Sequence, residues 1–129
     1  MANRVVHFEI EATDLNRAKN FYQNAFGWEM EEWGAEYGDY LTVKTGDPKK
    51  PTGINGGIYR MNKKKELNAY SCVIAVDSID KAMRAVKTAG GKILKEKPDD
   101  IPKVGLYMPC LDTEGNRFTL LQPSSDMAP

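Results

Sequence analysis

The stretch Val5-Val6-His7-Phe8-Glu9-Ile10-Glu11-Ala12-Thr13-Asp14, followed by an amphipathic run ending in Ala25-Phe26-Gly27, decides the fold because it occurs twice. Its second appearance is Tyr70-Ser71-Cys72-Val73-Ile74-Ala75-Val76-Asp77, followed by a run ending in Thr88-Ala89-Gly90. Asp14 to Gly27 and Asp77 to Gly90 both span 13 positions, which sets the copies 63 residues apart. A period of about sixty residues in two copies is too long and too few for a solenoid, and reads as internal duplication.

Each copy opens with a strand. Val6, Phe8 and Ile10 share one face of Val5–Glu11, and Val5, His7, Glu9 and Glu11 share the other. Tyr70–Val76 repeats this, with Tyr70, Cys72, Ile74 and Val76 opposite Ser71, Val73 and Ala75. A helix follows each strand. Asp14 caps the first, in which Leu15, Ala18, Tyr22 and Ala25/Phe26 recur at helical spacing before Gly27. Asp77 is the expected cap of the second, whose stripe is Ile79, Ala82, Met83, Val86 and Ala89, with Gly90 closing it. Phe21, Tyr22 and Phe26 are expected to pack helix against sheet. Further strands are expected at Trp28–Trp33, Tyr40–Lys44 and Gly57–Met61, and at Lys92–Glu96, Leu106–Leu111 and Arg117–Gln122. The turn Asp112–Asn116 has hairpin chemistry. The fold class is therefore α+β, two βαβββ modules in one domain over residues 1–129. Module 1 covers about residues 4–61, the linker 62–67 and module 2 about 68–123. The run Lys63-Lys64-Lys65 reads as a solvated loop, and Gly46–Gly53 as a loop whose composition does not separate lid from linker.

Composition narrows the function. Lys+Arg and Asp+Glu are both 18, so the net charge is zero, which argues against a nucleic-acid partner. No apolar run approaches the roughly 20 residues of a membrane span, and the N-terminus carries no apolar signal core. Two cysteines, Cys72 and Cys110, make a poor disulfide framework, and the expectation is a soluble, cytoplasmic protein with reduced thiols. There is no nucleophile elbow and no phosphate-binding glycine loop.

The ordered set His7-Phe8-Glu9-Ile10, Asp14, Arg17-Ala18, Phe21-Tyr22 and Phe26-Gly27-Trp28 resembles the vicinal oxygen chelate superfamily. That group includes glyoxalase I, the bleomycin and fosfomycin resistance proteins and the extradiol dioxygenases. In the second half, Val76-Asp77-Ser78-Ile79-Asp80, Gly90-Gly91 and Asp112-Thr113-Glu114-Gly115-Asn116-Arg117-Phe118 are similar to its C-terminal module. The resemblance, nearest to small glyoxalase-related proteins, runs from about Val5 to Pro123. It implies a half-open, eight-stranded cup around a ligand cavity, and a homodimer.

In metal-dependent members, the ligands come from the first and last strands of each module, with His or Gln at the former and Glu at the latter. His7, the only histidine of the chain, matches. At the offset of 63 its counterpart is Tyr70; the last-strand positions fall on Thr119 and on Gly56 or Gly57. One ligand in four does not make a metal site, since zinc sites use three or four protein ligands. No metal ligand set and no cofactor are therefore expected. A divalent metal survives as a minority alternative, in which His7 and Glu9 recruit Glu29, Glu31 or Asp39.

The pair His7/Glu9 also has a metal-free reading, with Glu9 orienting the imidazole and raising its basicity, which would make both catalytic. The blander alternative is polar lining of a binding cavity. The leading expectation is a protein that binds a small, largely apolar molecule without a metal, through His7, Glu9, Tyr70 and Thr119, with Trp28, Cys72 and Met108 as walls. The alternative is a lyase, isomerase or oxygenase of the glyoxalase I type, using an atypical metal site or the His7/Glu9 base. A third is a non-catalytic dimerising module. Tyr40, Tyr59 and Tyr107 lie on expected strands and offer hydroxyls to either face; Cys110 reads as structural.

Overall fold

The computed structural model describes residues 3–33, 38–47, 49, 53–60 and 70–124. They form nine strands and two helices: β1 (Arg4–Ala12), α1 (Leu15–Phe26), β2 (Glu29–Glu32), β3 (Tyr40–Lys44), β4 (Gly56–Arg60), β5 (Tyr70–Ala75), α2 (Ile79–Thr88), β6 (Lys92–Ile93), β7 (Asp99–Ile101), β8 (Gly105–Leu111) and β9 (Arg117–Pro123). Two compact units emerge, His7–Tyr70 and Ser71–Pro129 together with Met1–Val6. The expected linker at 62–67 lies outside the described residues, as does much of the loop from 46 to 53.

In the first unit the strand order is β2-β3-β4-β1. β1 and β4 run parallel, pairing Phe8 with Gly56 and Glu9 with Gly57, while β3 is antiparallel to both β4 and β2. α1 begins where Asp14 accepts a hydrogen bond from the amide of Arg17. It ends at Gly27, whose φ of 74° is the left-handed conformation that disfavours a Cβ. Strand alternation then sorts the side chains. Ile10, Ala12, Leu41, Val43 and Ile58 are buried on one face, against Leu15, Ala18 and Tyr22 of α1 and against Trp28 and Met30. The other face carries His7, Glu9, Glu11, Tyr40, Thr42, Gly57 and Tyr59.

The second unit follows the same plan, with the order β5-β9-β8-β6 and β7 also on β8. β5 and β9 run parallel with Cys72 opposite Phe118 and Val73 opposite Thr119. Val76, Ile79, Met108, Cys110 and Leu120 form its core, covered by Ala82, Met83 and Val86 of α2. Burying such side chains contributes roughly 1.5–3 kcal/mol each.

The structure departs from the sequence expectations in three local ways. The strand expected at Lys92–Glu96 stops at Ile93, and β7, which the sequence pattern did not announce, pairs with the remainder of β8. The edge of this sheet is thus one strand broken by the bend at 94–98, where Pro98 cannot donate to a ladder. Phe21 and Phe26 are 57% and 63% exposed rather than packed onto the sheet; among the three aromatics of α1 only Tyr22 joins the core.

The third departure concerns the repeat. The N-cap of α2 is Ser78, whose side chain accepts from the amide of Lys81, and not Asp77. Asp14 and Ser78 are 64 residues apart, one more than the Asp-to-Asp spacing suggested. The strand pairings agree: Phe8 in β1 corresponds to Cys72 in β5, so the counterpart of His7 is Ser71 and not Tyr70. The same comparison matches Gly56 with Phe118 and Gly57 with Thr119. Gly57, not Gly56, stands at the last-strand position of module 1.

Candidate functional site

His7 projects from β1 on the sheet face away from α1, and its Nε2 lies 2.8 Å from the hydroxyl of Tyr40 on β3. The contact exists because Gly57, between them on β4, has no side chain. A Cβ there would overlap the hydroxyl and Cζ of Tyr40. The phenol of Tyr40 therefore fills the space in which a last-strand side chain would stand.

The imidazole is partly buried, and that burial pushes its pKa down to about 4. His7 is thus neutral at neutral pH, opposite to the raised basicity expected from Glu9, because desolvation disfavours the imidazolium. Nε2 and the Tyr40 hydroxyl share this hydrogen bond, with the donor set by the tautomer of the imidazole. Glu9 lies two residues along the same face and is 6% exposed. Further along, Glu11 accepts a hydrogen bond of 2.8 Å from the hydroxyl of Tyr59.

The second unit carries a parallel arrangement. Tyr107 stands on β8 where Tyr40 stands on β3, each two residues from the partner of the last-strand position. Thr119, fully buried, donates to the Tyr107 hydroxyl at 3.5 Å.

The other residues singled out from sequence lie on the helix-bearing faces. Met108 is fully buried in the core beneath α2, beside Cys110, whose thiol burial pushes up to about 11. Trp28 stacks on Tyr22 with ring centroids 4.9 Å apart, and packs 5.9 Å from Phe8. The Tyr70 hydroxyl is 2.6 Å from that of Tyr22, a contact that, after burial, helps push Tyr22 up to about 12. Cys72 is exposed and alternates with Ser71 and Val73, so it shares the face of Ile74 and Val76. Within the first unit the structure therefore brings His7, Glu9 and Tyr40 onto one face; Trp28 and Tyr70 belong to an aromatic cluster on the other.

The carboxylates proposed as supplementary ligands are spread out. Asp39 pairs with Arg60 at 2.8 Å, and Glu29 and Glu31 are exposed on the edge strand β2, opposite Lys44 and Thr42. Among the described residues no three His, Cys, Asp or Glu side chains are grouped to hold a metal ion. At the four family positions the chain offers an imidazole, the hydroxyl of Ser71, no side chain at Gly57 and the hydroxyl of Thr119. That donor set does not fit a divalent cation, which such sites hold through imidazole and carboxylate.

Sequence reasoning placed Tyr40 on a strand with its hydroxyl available but did not pair it with His7, and it missed Ser71. Both had a signal: a glycine at a ligand position invites the question of what fills its volume. Likewise, aligning Asp14-Leu15-Asn16-Arg17-Ala18 with Ser78-Ile79-Asp80-Lys81-Ala82 restores the offset of 64.

Comparison with known proteins bears on the whole arrangement. Residues 4–46 match the family described as bleomycin resistance protein-like N-terminal. Over 111 residues the chain is 32% identical to a probable chloroplastic lactoylglutathione lyase of Arabidopsis thaliana. The match takes in 79% of this chain but only 31% of that protein, so the chain spans about a third of its relative. The chain belongs to the vicinal oxygen chelate superfamily. Its superfamily fold is shared with a methylmalonyl-CoA epimerase solved with methylmalonyl-CoA, at a TM-score of 0.75 and 14% identity over 100% of both chains. The epimerase of Mycobacterium tuberculosis gives a TM-score of 0.70 at 14% identity, covering 93% of this chain and 87% of that one. No helix among the described residues of this superfamily member is long and apolar enough to cross a membrane.

Proposed function

We propose that this member of the superfamily binds a small, largely apolar molecule without the family's metal, on the face that carries His7 and Glu9. The observation behind this reading is the 2.8 Å hydrogen bond between His7 Nε2 and Tyr40, formed over Gly57. The one family-type ligand in the chain spends an imidazole nitrogen on a phenol. The neighbouring groups are neutral hydroxyls and buried carboxylate, which suit hydrogen bonding at one end of a ligand. Thr119 holds the equivalent position on the second unit. The exposed Phe21 and Phe26 support assembly as a homodimer, in which a partner would cover them. The reading places the protein in the cytoplasm, with neither nucleic acid nor membrane as partner.

Elemental analysis of untagged protein, followed by thermal shift with Ni, Zn, Mn, Fe(II) and Co, tests it. The expected result is substoichiometric metal and an unmoved Tm. A stoichiometric metal that disappears in His7→Ala would overturn the proposal.

The likeness to lactoylglutathione lyase favours a second reading, an isomerase or lyase in which Glu9 moves a proton beside a carbonyl. A neutral His7 is a weak base there, so the proton transfer falls to Glu9. Lactoylglutathione lyase turnover that vanishes in Glu9→Gln would replace binding with catalysis.

A further inference from the structure

Three observations converge on Tyr40. Its hydroxyl bonds Nε2 of the only histidine; its ring occupies space open because residue 57 is glycine; and the second module sets Tyr107 at the equivalent place, against Thr119 instead of a glycine. In both modules, then, a tyrosine leans over the last-strand position at which metal-binding relatives carry a carboxylate.

We infer that Tyr40 is a specificity-determining residue: seated over Gly57, it plugs His7 Nε2 and thereby excludes divalent metal from this face. This deepens the proposed metal-free function and rests on it. The seat matters as much as the plug. Gly57 lies in a β-strand without a positive φ, so alanine is compatible with its backbone, and the atoms its added methyl would meet first are the hydroxyl, Cζ and Cε1 of Tyr40. Gly57→Ala should therefore expel the phenol and leave the core residues Leu41, Val43 and Ile58, which lie on the other face, undisturbed. Tyr40→Ala removes the plug directly. Two different substitutions on two strands thus have one predicted consequence, an Nε2 that a metal can reach.

The probe is Co(II) alone, added to the full chain and followed by paramagnetic broadening of the imidazole proton signals. With His7 the sole histidine, those signals need no assignment. Losing the capping hydrogen bond should bring the broadening midpoint down about fivefold or more in Tyr40→Ala and in Gly57→Ala relative to the parent chain. If Tyr40→Ala fails to fold, Gly57→Ala carries the same test. Parent and variants broadening at the same low Co(II) concentration would overturn both the plug and the metal-free function. Parent and variants all resisting Co(II) alike would overturn the plug alone, because the exclusion would then come from the missing ligands.

Discussion

The lowered pKa of His7 makes a quantitative prediction about stability. In the unfolded chain the imidazole titrates near 6.5, and burial brings it to about 4 in the folded protein. Between those values the unfolded state binds a proton that the folded state refuses, so the stabilisation present above 6.5 is lost progressively as pH falls. The full difference is about 3 kcal/mol, and the portion lost between about pH 7 and pH 5 is about 2 kcal/mol. Urea denaturation of the parent chain and of His7→Gln at those two pH values isolates this contribution, because glutamine does not titrate and no other histidine is present. The parent should lose about 2 kcal/mol more than the variant. Parallel losses would refute the reasoning, since they would mean that the imidazole is as well solvated in the folded state as in the unfolded one.

Two further substitutions check the packing and the repeat. Met108→Ala removes a fully buried side chain from the core beneath α2 and should destabilise by about 2–5 kcal/mol in the same urea assay, whether or not a ligand is bound. Ser78→Ala deletes the side chain that caps α2 and should cost about 1 kcal/mol, with a matching drop in thermal midpoint by circular dichroism; no change would place the cap back at Asp77.

Local patterns in the chain carried most of the architecture. Asp14 and Gly27 delimit α1 at the residues expected, and β3 spans Tyr40–Lys44 as its alternation suggests, because capping and pleat alternation act over a few neighbouring residues. The short edge strands were harder. β6 and β7 are two and three residues long, and their pairing with β8 is decided by which backbone groups on the distant strand lack a partner. One residue of slip in the repeat also mattered: period-2 strands convert it into a change of face, which is how Tyr70 stood in for Ser71.

The amino-acid sequence by itself determined the duplication, the α+β class, the superfamily and the poverty of metal ligands, because each of these depends on residue identity and short-range spacing. Tertiary structure alone decided what His7 touches. Tyr40 is 33 positions away, and the two meet because β1 and β3 both pair with β4, whose Gly57 leaves room for the phenol. The same folding decided that Met108 is core, that Phe21 and Phe26 face outward, and that His7 is neutral. Burial and non-local contact are properties of packed strands, and no window along the chain contains them.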